Sequence, residues 1–130
     1  MAADRWLVPN VLCLGLLGSG CTLLTDNGHA CTANIVMGLN VTVRDSVTGI
    51  AAGRGATVSA QDGTYSETLM FLGSVISTDS LDFMGAAERP GTYRITVTKA
   101  GYRAWTRNGV QVLDAACHVH PATVDVRLQP

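Results

Sequence analysis

His118 and His120 flank Val119 at the spacing of a β-strand, so both imidazoles project from one face. Two histidines so placed hold Zn2+ or Cu2+ once a third ligand arrives, and His29 beside Cys31 would supply it if the chain's ends met. Two surface histidines before a turn at Pro121 explain the same residues. A second concentration is Tyr102-Arg103-Ala104-Trp105-Thr106-Arg107. Alternation along that run puts Trp105 on one face with Arg103 and Arg107, and Tyr102 on the other. An indole between guanidinium groups suits a partner protein or a sugar ring, through stacking and hydrogen bonding. Equally, Trp105 covers the edge of a sheet while the arginines stay solvated. Hydrolytic chemistry finds no support: Ser66, Ser74 and Ser77 lack a Gly-x-Ser-x-Gly setting. No glycine-rich loop follows a strand and opens a helix to cradle phosphate. No catalytic residue and no cofactor are expected.

The elements that must carry these residues are strands. Leu39, Val41 and Val43 alternate with Asn40, Thr42 and Arg44, and the turn Asp45-Ser46-Val47-Thr48-Gly49 follows. Ala56, Val58 and Ala60 give a second strand, Asp62-Gly63 a hairpin, and Tyr65 to Phe71 the returning strand. Gly73 to Asp82 reads as a connection, and Leu81 to Ala87 as a short strand before the turn at Glu88-Arg89-Pro90-Gly91. Tyr93, Ile95 and Val97 form the clearest alternation. Lys99-Ala100-Gly101 turns the chain into Tyr102 to Arg107, Asn108-Gly109 signals another hairpin, and Val124, Val126 and Leu128 close the pattern. Short strands with turn signals at this frequency predict an all-β, antiparallel, seven-stranded β-sandwich.

The N-terminus is read as an export signal over residues 1–20. Trp6 to Leu17 is a mostly apolar core, too short to span a bilayer, which takes about 20 apolar residues. Gly18-Ser19-Gly20 supplies small residues for cleavage, and Cys21 follows. Leu17-Gly18-Ser19-Gly20-Cys21 resembles the lipobox of bacterial lipoproteins, although Gly18 stands where that family carries a large aliphatic residue. The resemblance implies lipid on Cys21, hence a membrane-anchored lipoprotein facing the periplasm or the cell surface. Plain secretory cleavage after Gly20 is the alternative. Of 130 residues, 110 then remain, with a net charge near −1 and no basic stripe, so nucleic acid is not an expected partner. Residues 21–35 read as a tether and 36–130 as one domain. With Cys13 removed and Cys21 acylated, Cys31 and Cys117 are left as a disulfide pair, the simplest state in an oxidising compartment. A free reactive thiol or a metal ligand is the other use of these cysteines.

Asp45-x-x-Thr48-Gly49, Gly55-Ala56-Thr57-Val58, Pro90-Gly91-Thr92-Tyr93-Arg94-Ile95-Thr96-Val97 and Gly101-Tyr102 together resemble the carboxypeptidase regulatory-like domain. The match spans about residues 36–128. It implies a prealbumin-like (transthyretin-like) sandwich and an accessory, non-enzymatic role. One branch of that fold hydrolyses 5-hydroxyisourate and ends in Tyr-Arg-Gly-Ser; this chain ends Val126-Arg127-Leu128-Gln129-Pro130. The function expected is that of a membrane-tethered envelope protein, structural or binding toward an envelope protein or carbohydrate. The alternative is a soluble periplasmic or secreted module that binds a ligand or metal.

Overall fold

The computed structural model describes residues 30–73 and 82–130. The expected signal segment, Cys21, His29 and most of the Gly73–Asp82 connection lie outside the described residues. Nine strands are described: β1 (Met37–Asp45), β2 (Thr57–Asp62), β3 (Tyr65–Thr68), β4 (Met70–Phe71), β5 (Asp82–Ala87), β6 (Gly91–Thr98), β7 (Trp105–Asp114), β8 (Val119–His120) and β9 (Ala122–Leu128). They form two sheets, ordered β4-β5-β1-β9 and β3-β2-β6-β7-β8, packed as a β-sandwich. No helix occurs among the described residues.

The period-two alternation explains the core. Leu39, Val41 and Val43 of β1 join Val124, Val126 and Leu128 of β9 on one inner face. Val58, Ala60, Tyr93, Ile95 and Val97 line the other, and Phe83 of β5 fills between them. Strands buried on a single face read as apolar–polar alternation because successive side chains point to opposite sides.

Three features correct the sequence expectation. First, β1 and β9 pair in parallel, with Val41 beside Val124 and Val43 beside Val126, so the sandwich is mixed rather than wholly antiparallel. Half-buried strands alternate identically in either sense, so periodicity carries no information on direction. Second, the described residues form nine strands where seven were expected, because two runs change sheets midway. Leu69 still donates its N–H to Val58 O at 2.8 Å in one sheet, whereas Met70 already pairs with Met84 in the other. At the second corner, His120 pairs with Leu113 and Ala122 with Leu39. Pro121 stands between them, where a residue without an N–H costs no ladder bond. Third, Asn108-Gly109 is not a hairpin. β7 runs straight through it, and Arg94 alone lies opposite both residues between the pairs Tyr93–Val110 and Ile95–Arg107. This is a β-bulge, and Gly109 takes φ 72° to make it. Asn-Gly announces positive φ, which turns and bulges share.

The register also gives the sandwich two distinct ends. Met37, Gly91, Asp114 and Ala122 lie at one end, and Asp45, Thr98, Trp105 and Leu128 at the other. The segment carrying Cys31 enters at the first. The second stands roughly 25 Å away, the length of the nine-residue β1.

Candidate functional site

At the entry end, Cys31 and Cys117 form a disulfide with Cα atoms 5.2 Å apart, tying residues 86 apart in sequence. Beside it lies an open cleft of about 390 Å3 whose wall includes Thr32, Asn34, Glu88, Asp114 and His118. His118 Nδ1 is 2.7 Å from Glu88 Oε1, and His118 Nε2 is 3.0 Å from Thr32 Oγ1. The same Glu88 oxygen accepts the Val36 N–H at 2.7 Å. Hydrogen bonding from Val36 first, and then His118, holds the Glu88 carboxyl below its usual range. Glu88 itself sits at φ 49°, and nearby Ala86 at φ 51°, both in the left-handed region that side chains avoid. The turn between β5 and β6 thus holds a strained backbone that aims one carboxylate at the incoming segment.

Hydroxyl, imidazole and carboxylate in series follow the order of a hydrolytic triad. The carboxylate is also bound to the Val36 amide, however, so the chain of bonds clasps the entering segment to the sandwich. For metal binding, both His118 nitrogens are engaged, whereas His120 is exposed on β8. Among the described residues, no group of three or more His, Cys, Asp or Glu side chains is placed to hold a metal ion.

At the far end, Arg103, Ala104, Trp105, Arg127 and Gln129 line a recess of about 290 Å3. The Arg103 N–H donates to Gln129 O at 2.8 Å, which fixes the loop before β7 against the end of β9. Trp105 is half-buried and packs one side on the core. Alternation had grouped Trp105 with Arg103 and Arg107. The structure brings Arg103 to it but leaves Arg107 exposed, outside the recess lining, and supplies Arg127 and Gln129 instead.

Tyr102 has a different task. Its hydroxyl donates to Asp45 Oδ2 at 2.9 Å, and the Lys99 ammonium lies 5.2 Å from its ring centroid. Asp45 Oδ1 meanwhile accepts the N–H groups of Val47 and Thr48, both at 2.8 Å. The Thr48 amide, the Tyr102 hydroxyl and the Val47 amide together hold Asp45 down to about 2.

Sequence reasoning missed Glu88, Thr32, Arg127 and Gln129. Each lies far along the chain from the residue it meets, so no local spacing could announce the contact. For Arg127, its outward position on the last strand was the single available signal. No family model matches this chain, and no curated protein matches it.

Proposed function

We propose that this chain is a non-enzymatic exported protein of a bacterial envelope, held to a membrane by lipid on Cys21. Its sandwich is of the prealbumin-like, carboxypeptidase regulatory-like type, and its role is structural or binding, toward an envelope protein or a carbohydrate. The observation that carries this reading is the Cys31–Cys117 bridge. Disulfides persist where the surroundings are oxidising, outside the reducing cytosol. This one lies ten residues after Cys21, between the expected anchor and the first strand, where it locks the tether to the domain. A single acyl chain binds membrane only marginally, whereas several on one cysteine hold firmly.

The test is the intact mass of the protein from its native host, before and after reduction. A chain starting at Cys21 with acyl additions, gaining two mass units on reduction, is the expected result. An unmodified Cys21 start favours a soluble exported module instead, a reading to which the Trp105 recess lends support. A saturable zinc- or copper-induced rise in thermal midpoint, lost in His118→Ala/His120→Ala, would assign that module a metal, since a ligand specific to the folded state must stabilise it. Turnover of an activated ester that disappears in Thr32→Ala would overturn the non-enzymatic reading.

A further inference from the structure

Among the described residues, basic side chains outnumber acidic ones at the end of the sandwich opposite Cys31. Asp62, Glu88 and Asp114 stand at the entry end, where Arg89 is spent on Asp62 at 2.9 Å. Among the described residues, Arg44, Arg54, Lys99, Arg103 and Arg127 stand at or near the far end, against Asp45, already satisfied by two amides and Tyr102, and against Asp82 and Asp125, which lie opposite Thr42 three residues short of it. Net charge near zero therefore conceals a net positive end, and that end lies opposite Cys31.

At that end, the Arg103 and Arg127 guanidinium groups have no hydrogen-bond or ion-pair partner among the described residues. Asp125, two residues before Arg127 on the same strand, forms no ion pair with it. Two unneutralised guanidiniums beside a recess attract an anion, and their planar forks match a carboxylate in bidentate fashion. Trp105 adds an aromatic face, and the Gln129 amide both donates and accepts, as ring hydroxyls require. At about 290 Å3 the recess is at the small end for ligand sites, which suits one ring of a longer chain lying across an open surface. A nucleic-acid strand would call for successive stacking aromatics along a basic groove, and this recess has a single aromatic.

We infer that the far-end recess binds a carboxylated sugar, a uronate unit of an acidic glycan, with Arg103 and Arg127 on the carboxylate and Trp105 on the ring. This deepens the carbohydrate-binding role proposed above and rests on it. The recess stands at the end of the sandwich opposite Cys31, clear of the segment that enters there.

The test is calorimetric titration of the intact protein with oligogalacturonate, and with the same oligomer methyl-esterified so that ring and hydroxyls remain but charge is lost. Binding to the acid form, at least tenfold weaker for the ester and for Arg103→Gln and Arg127→Gln, is expected. Trp105→Phe keeps the packing volume more nearly than Ala, and should weaken binding while leaving the thermal midpoint within a few degrees. Equal binding of acid and ester overturns the acidic specificity but keeps a carbohydrate role. No binding of either by folded protein overturns the inference, while the mass measurement judges export and anchoring separately. Binding to phosphatidylglycerol vesicles, absent for oligogalacturonate and lost in the arginine variants, would overturn it in favour of a membrane surface.

Discussion

Asp45 does more than close the turn after β1. It is 9% exposed, accepts two backbone amides and the Tyr102 hydroxyl, and so joins the Asp45–Gly49 turn to the loop before β7. Those donors favour the carboxylate, which lowers its pKa to about 2 in the folded chain, against an ordinary value of about 4 when unfolded. A depressed folded value means stability fully present above pH 4 and lost as pH falls toward 2. Tyr102→Phe removes one donor, so its acid-unfolding midpoint, followed by far-UV circular dichroism, should move to higher pH than in the parent. Tyr93 is a comparable residue inside the core. It is fully buried, donates to Arg89 O at 2.9 Å and accepts from Arg89 Nη1 at 3.0 Å. Tyr93→Phe removes the donor to Arg89 O, while Arg89 Nη1 keeps its ion pair with Asp62, and should cost about 1 kcal/mol in urea unfolding. Sequence alone placed Tyr93 inward and Asp45 in a turn, but it named neither partner.

Among the strands, β1 shows how closely the two sheets approach. A Cβ on Gly38 would stand 2.8 Å from Ala86 O and 2.8 Å from Val112 Cγ1. One contact is backbone in the same sheet and the other a buried valine of the facing one, so neither yields freely. Gly38→Ala should therefore destabilise by about 1–3 kcal/mol, the usual range for overpacking. Gly109 makes an instructive contrast, because a Cβ there meets open space and only its φ of 72° argues for glycine. Gly109→Ala should cost about 1 kcal/mol through backbone strain, without change in the core. Comparing the two by thermal midpoint and near-UV circular dichroism separates packing from conformational strain. Local sequence predicted most strand positions and the Asp62-Gly63 hairpin, which the Asp62–Tyr65 pairing contains. It misread Asn108-Gly109 because the same φ requirement serves both turn and bulge.

For the molecule as a whole, the bridge between Cys31 and Cys117 encloses seven of the nine described strands, β1 to β7. Cross-linking residues 86 apart restricts the unfolded chain and should stabilise by about 4 kcal/mol. Reduction should then lower the thermal midpoint by roughly 15 °C or more in a domain of this size. Retention of the midpoint under reductant, with free thiols confirmed by alkylation, would show that the His118–Glu88 clasp already holds the segment. The net positive end adds an expectation of its own: oligogalacturonate binding should weaken steeply with salt, since exposed charges are screened within about 8 Å at physiological ionic strength.

The alternation of apolar and polar residues, the turn signals and the even cysteine remainder were enough to predict an all-β fold, most of its strand positions and the pairing of Cys31 with Cys117. These are local or compositional properties, and a strand buried on one face writes them directly into the chain. The parallel pairing of β1 with β9, the sheet changes at Leu69 and Pro121, the Thr32–His118–Glu88 series and the Arg103–Trp105–Arg127 recess are of another kind. Each joins residues that are distant along the chain, or depends on the sense in which two strands run. Such relations arise only when the sheets close on a common core, because side chains far apart in sequence become neighbours only through packing.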